Sequence, residues 1–268
     1  MSWDAFTAWR RDSSDIADAT THVTTLLMEA APDGPDVFEY VATAAPVMLS
    51  GYAQASQDSA LDYLAGVQRS AGLSPVLYRP AAATITAAVV TPVVKWALTD
   101  IVFPYAVEQV LPRLAQGTTR LISNVGRETV QAGVGEIDGA MGRRVPGVDA
   151  CAWCRLQSAV THWDGEWPDS SYHGHCRCEP LVMIEGRDGG VPDDLYDLWD
   201  DYERQWLEAD EWAHKEQRRI DDELWARVKD TRHTFHAKKR MRGSLRRQEL
   251  PTIQQLTLKR IREEYGAR

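Results

Sequence analysis

The sequence predicts a mainly α-helical protein with one small α+β module, closed by a long acidic helix and a basic tail. Three observations predict this. Apolar residues recur at helical spacing through the first 75 positions and again from Leu195 to Val228. Proline and glycine cut the Ala- and Val-rich stretch from Pro80 to Gly117 into helix-sized pieces. Between these parts, cysteine and histidine crowd into a segment too short and too polar for another long helix.

In the N-terminal region, residues 1–116, Trp3, Phe6 and Trp9 open a helical stripe that continues through Ile16, Val23, Leu26 and Leu27 and stops at Pro32-Asp33-Gly34-Pro35. A second helix is expected from about Asp36 and a third after Gly51, carrying Leu61, Leu64 and Val67 and ending at Gly72 and Pro75. The apolar run Ala81 to Phe103 contains Pro92, Lys95 and Asp100, so it reads as a pair of buried helices and not as a membrane span. The next helix is expected to start at Thr118 or Thr119 and to end near Gly133 or Gly139, with Arg120, Arg127 and Glu128 on its exposed face.

After the module, residues 117–185, comes the acidic helix, residues 186–230. There Leu195, Trp199, Tyr202 and Trp206 form one stripe, resumed by Ile220, Leu224 and Val228, with Trp212 and Trp225 nearby. From Pro192 to Asp230 there are 14 Asp and Glu against 6 Lys and Arg. The basic tail, residues 231–268, reverses the balance with 11 Lys and Arg against 3 acidic residues. In it, Lys238 to Arg247 reads as a mobile linker and Thr252 to Tyr265 as a last short helix.

The composition, 44% hydrophobic and 26% charged, excludes a wholly disordered, collagenous or disulfide-scaffold chain. A net charge of -9 excludes a nucleic-acid coat protein, which needs a positive footprint overall, and leaves only the tail for phosphate. Met1-Ser2-Trp3-Asp4 has neither the basic nor the apolar segment of a signal peptide, which points to the cytoplasm.

All four cysteines, Cys151, Cys154, Cys176 and Cys178, fall within 28 residues. Cys151-Ala152-Trp153-Cys154 is a C-x-x-C knuckle, and His173-Gly174-His175-Cys176-Arg177-Cys178 is a second short element able to close a tetrahedron. The candidate metal ligands are therefore Cys151, Cys154, His173, Cys176 and Cys178, with His175 in reserve, and a structural zinc is the implied cofactor. An all-cysteine site is equally compatible with the spacing. A redox dithiol would need a strand–helix alternation that the sequence does not offer, and disulfides would need an oxidising compartment.

Together, Gly126-Arg127-Glu128-Thr129, Gly142-Arg143-Arg144-Val145, Cys151-x-x-Cys154 and His173-x-x-Cys176-Arg177-Cys178 followed by Pro180 resemble the phage Mu F-like family of minor head proteins. The resemblance spans about Gly117 to Leu181. It implies a head-morphogenesis protein of the virion or procapsid interior, present in the host cytoplasm during assembly. The implied partners are the portal, the scaffold and the major capsid protein, with packaged DNA as a further partner of the basic tail and no membrane. Similar proteins of actinobacterial phages are often labelled capsid maturation proteases, which gives the alternative function. For that chemistry the sequence offers only Ser158 and His162, which could meet on one helix face, with Asp164 two residues further on. No phosphate-binding loop, zinc-protease helix or nucleophile elbow is present, and catalytic residues remain unassigned.

Overall fold

The computed structural model describes residues 2–32, 34, 36–76, 78, 80–98, 107–147, 150–159, 161–163, 178–187, 191–229 and 235–267. The expected helical character is observed: eight helices and a small antiparallel sheet occupy the described residues. They form two compact units, one of residues 1–145 with 161–192, the other of residues 146–160 with 193–268.

The first unit packs α1 (Ser2–Glu29), α2 (Val37–Ser70), α3 (Ala87–Leu98) and α4 (Val107–Val134) around a core that includes Leu27, Val41, Leu49, Val90, Val94, Leu114 and Ile122. Contrary to expectation, α2 runs straight through Gly51. Its stripe of Val41, Ala45, Leu49, Ala53, Ala60 and Leu64 is buried along the whole length, and that burial outweighs the roughly 1 kcal/mol that glycine costs a helix interior. The helix ends where a true stop exists: Gly72 takes φ +72°, with its N–H on the Arg69 carbonyl and the Leu73 N–H on the Gln68 carbonyl. Beyond it, Gln68 accepts the Val76 N–H at 2.6 Å, while Gln57 donates to the Ala81 carbonyl at 2.9 Å and accepts the Ala83 N–H at 3.1 Å. Two buried glutamines thus fix an otherwise irregular connection.

The helix expected to start at Thr118 begins eleven residues earlier, at Val107. Thr118 is fully buried and donates to the Leu114 carbonyl at 2.9 Å, and its hydroxyl lies 2.9 Å from that of Thr24 in α1. It acts as an interhelical contact instead of a cap. Close approach is built into α4: a Cβ on Gly126 would lie 2.7 Å from the Ser56 hydroxyl of α2. Pro92 and Pro112 both lie inside helices and do not divide them. No helix of the described residues is long and apolar enough to cross a membrane.

The sheet has the order β2-β1-β3, with β1 (Ala140–Val145) antiparallel to both β2 (Thr161–Trp163) and β3 (Glu179–Ile184). In register, Gly142 faces His162 on one side and Val182 on the other, and Arg144 faces Pro180. As an edge strand, β3 can carry Pro180, which lacks an N–H.

In the second unit, α5 (Ala152–Ala159) and α8 (Ile253–Tyr265) pack on α6 (Asp193–Lys229), and α7 (Phe235–Glu249) packs on it as well. The acidic helix starts at Asp193, later than the expected boundary at 186, and ends at Lys229, with Asp193 and Asp194 in its first turn and Arg227 and Lys229 in its last, matching the helix dipole at both ends. Its buried row is Leu195, Trp199, Tyr202, Gln205, Ala209 and Ala213, continued by Leu224 and Val228. The stretch expected to be a mobile linker is the helix α7. Its residues are mostly good helix formers, Arg242 and Arg246 both pair with Asp221 of α6, and the Arg242 guanidinium sits 5.4 Å from the centre of the Trp225 ring. The last helix falls where expected, opened by a reciprocal Thr252–Gln255 capping box and closed by Gly266 at φ +62°.

Candidate metal centre

Cys151 immediately precedes α5, and its side chain takes over the task of an N-cap: its Sγ accepts the Cys154 N–H at 3.5 Å. The two cysteines of the knuckle therefore sit at the first turn of one helix. Cys151 is half-buried and Cys154 buried. Cys178 is buried at the foot of β3. His173, His175 and Cys176 lie outside the described residues, and among the described residues no three His, Cys, Asp or Glu side chains converge as a metal site. What the structure shows of the knuckle is that Cys151 and Cys154 flank the start of one helix, with the Cys154 amide directed at the Cys151 sulfur.

One residue beyond the knuckle, Arg155 ties α5 into the second unit. Its Nη1 donates to the Tyr265 carbonyl at 2.9 Å and to Gln205 Oε1 at 3.3 Å, and its guanidinium lies 5.4 Å from the Tyr202 ring centre. Tyr265 in turn donates to Glu208. Ala152, Ala209, Ile261 and Ala267 close over this contact as a small apolar core. Nothing in the spacing of Arg155 announced this role, because its partners lie 50 and 110 positions away.

In the first unit the surroundings of Cys178 are set by its neighbour Glu179. Arg127, expected on an exposed face, is only 4% exposed and forms a two-pronged pair with Glu179, Nε to Oε2 at 3.2 Å and Nη2 to Oε1 at 3.3 Å. The expectation failed because the apolar periodicity of α4 cannot show that a charged position has a buried carboxylate waiting on a strand. Arg144 is buried as well, at 2% exposure, opposite Pro180. At the outer edge of β3, the Val182 N–H donates to the Tyr63 hydroxyl at 2.7 Å, and the Tyr63 ring stacks on Trp9 with centres 4.9 Å apart. Burial pushes the Tyr63 phenol far above its ordinary range.

The suggested nucleophile does not fit a protease. Ser158 is fully buried in α5 and donates to the Cys154 carbonyl at 2.7 Å, a helix-internal bond. His162 is in strand β2, so the two do not share a helix face.

No curated protein and no solved structure matches this chain. The family model described as VG15 protein matches residues 2–208, which covers all of the first unit, α5 and the N-terminal part of α6. The chain belongs to the VG15 family, a family of phage proteins.

Proposed function

We propose that this phage protein is a minor capsid protein of the Mu F-like kind, a head-morphogenesis component associated with the portal inside the procapsid. Its partners in this reading are the portal, the scaffold and the major capsid protein. A single structural zinc, bound through Cys151 and Cys154 with ligands drawn from His173, Cys176 and Cys178, would hold the cysteine module. The zinc would supply cross-linking of chain segments that are otherwise too short to bury a core of their own.

One observation carries the reading. Two of the motif pieces that resemble the Mu F-like family, Gly126 to Thr129 and Gly142 to Val145, are far apart in sequence yet both meet the start of β3: Arg127 of α4 pairs with Glu179, the residue after Cys178, and Arg144 of β1 faces Pro180 across the ladder. A shared motif whose members touch is a fold-determining constellation, and a fold-determining constellation fits a structural head protein. Family membership over residues 2–208 supports the phage origin on which the reading depends.

The test is co-expression of the full chain with portal, scaffold and major capsid genes, followed by isolation of procapsids with and without portal. The expected result is retention of this chain only in portal-containing particles, with intact scaffold and capsid N-termini. Its absence from such particles would overturn the reading, and trimmed N-termini that depend on this chain would replace it with the maturation protease.

A further inference from the structure

The basic helix α7 has two faces with different fates. Arg242 and Arg246 point at α6 and are held by Asp221, and Glu249 is taken up by Arg227. Arg240 and Arg247 are seven residues apart and so share another face, with Gly243 between them. Both arginines, and Lys239 beside them, are exposed, and among the described residues none of the three pairs with a carboxylate.

At the other end of α6 the opposite pattern occurs. Asp193, Asp197 and Asp200 follow one another at steps of four and three, on one face of the helix, all three exposed and none paired with a cation among the described residues. Asp193 to Asp200 spans seven residues, as Arg240 to Arg247 does, so both pairs are separated by about 10 Å along their axes. The two faces cannot meet within one chain. Asp221, where α7 is docked, lies 21 residues beyond Asp200, roughly 30 Å along the same straight helix.

We propose that the outer face of α7, carrying Arg240 and Arg247, docks on the Asp193–Asp197–Asp200 face of α6 in a second copy of this chain. The pairing repeats between molecules the Arg-to-Asp chemistry that already joins α7 to α6 within one molecule. An acidic helix is favoured over nucleic acid as the occupant because the chain is negative overall, at -9, and would repel a phosphate backbone beyond the reach of this one helix. The two patches differ, so the contact is head-to-tail and leaves a free patch at each end for further copies. Because all its charges are solvent-exposed, the association is weak and salt-sensitive. This inference rests on α6 and α7 alone and is independent of the proposed head function.

Sedimentation velocity on the full-length protein tests it. Near 20 mM salt, where the Debye length is about 20 Å, the weight-average mass is expected to rise with concentration to at least about 1.5 times that of one chain, and to return to one chain near 0.5 M salt. Arg240→Glu/Arg247→Glu and Asp193→Lys/Asp197→Lys/Asp200→Lys are each expected to remain single chains at low salt. Mixed together, the unaltered acidic face of the first variant can meet the unaltered basic face of the second, which is the proposed contact itself. The two altered faces are complementary as well, so in the one-to-one mixture the concentration-dependent rise in mass at low salt is expected to return. Circular dichroism of each variant checks that the surface changes leave the helices intact. A chain that stays single at low salt, or association that survives both charge reversals, would overturn the proposal. Loss of duplex DNA binding in Arg240→Glu/Arg247→Glu, with the unaltered protein single throughout, would overturn it too and give this face to nucleic acid.

Discussion

The Arg127 guanidinium of α4 meets the Glu179 carboxylate at the start of β3 at 3.2 Å, with 5% and 12% of the two side chains exposed. This pair fastens the strand that follows the cysteine segment to helix α4 of the first unit. Arg127→Met takes its bidentate cation from the buried Glu179 carboxylate, and a loss of about 3–5 kcal/mol is expected. Arg127→Met combined with Glu179→Leu removes both charges and is expected to recover most of that loss. Urea unfolding of the two variants, followed by tryptophan fluorescence, checks this; equal losses would show that the pair itself is not what matters.

Tyr63 makes the first unit sensitive to alkali. Its phenol is held protonated in the folded state by burial, while in the unfolded chain it ionises near pH 10. The unfolded state therefore releases a proton that the folded state keeps, so this contribution is complete below about pH 10 and falls as pH rises above it. Tyr63→Phe is expected to remove that dependence and, by leaving the Val182 N–H without its acceptor, to cost about 1–3 kcal/mol at neutral pH. Thermal melts of both proteins between pH 7 and about pH 11 measure the two effects together.

Glycines in helices separate into those that matter and those that do not. Gly126→Ala would put a Cβ 2.7 Å from the Ser56 hydroxyl and 3.2 Å from its carbonyl oxygen, and a cost of about 1–3 kcal/mol is expected as α2 and α4 move apart. Gly51→Ala meets nothing within 4 Å and is expected to stabilise by roughly 0.5–1 kcal/mol. Opposite shifts in melting temperature check the pair.

Arg155→Ala is expected to free the Tyr265 carbonyl and Gln205 from their shared donor, at about 2–3 kcal/mol in the second unit. Hydrogen exchange localises the effect: faster exchange is predicted in α5 and α8, with the first unit unchanged.

The sequence revealed elements wherever the signal was local. The stripe from Leu195 to Val228 marked α6, and the stretch expected as a last short helix, Thr252 to Tyr265, is α8 almost to the residue. It misled where a distant partner overrides a local rule. Gly51 and Thr118 look like helix boundaries, yet a buried stripe and a threonine pair with α1 carry the chain through them. Lys238 to Arg247 looks like a solvated linker until Asp221 and Trp225 are beside it. The nearness of Cys151 and Cys154 was legible because only two residues separate them. Arg127–Glu179 and Arg155–Tyr265 were not, since each joins residues more than 50 positions apart.

The central claim, a structural metal held by the cysteine module, is tested most directly by the zinc content of the full-length protein purified without chelator. One zinc per chain is predicted, lost only together with the fold of the module, because binding at such a site and folding share about 10 kcal/mol or more. Thiols that stay unreactive until a chelator is added would accompany it. Zinc near zero, with Cys151, Cys154, Cys176 and Cys178 all titrating in the folded protein, would contradict it.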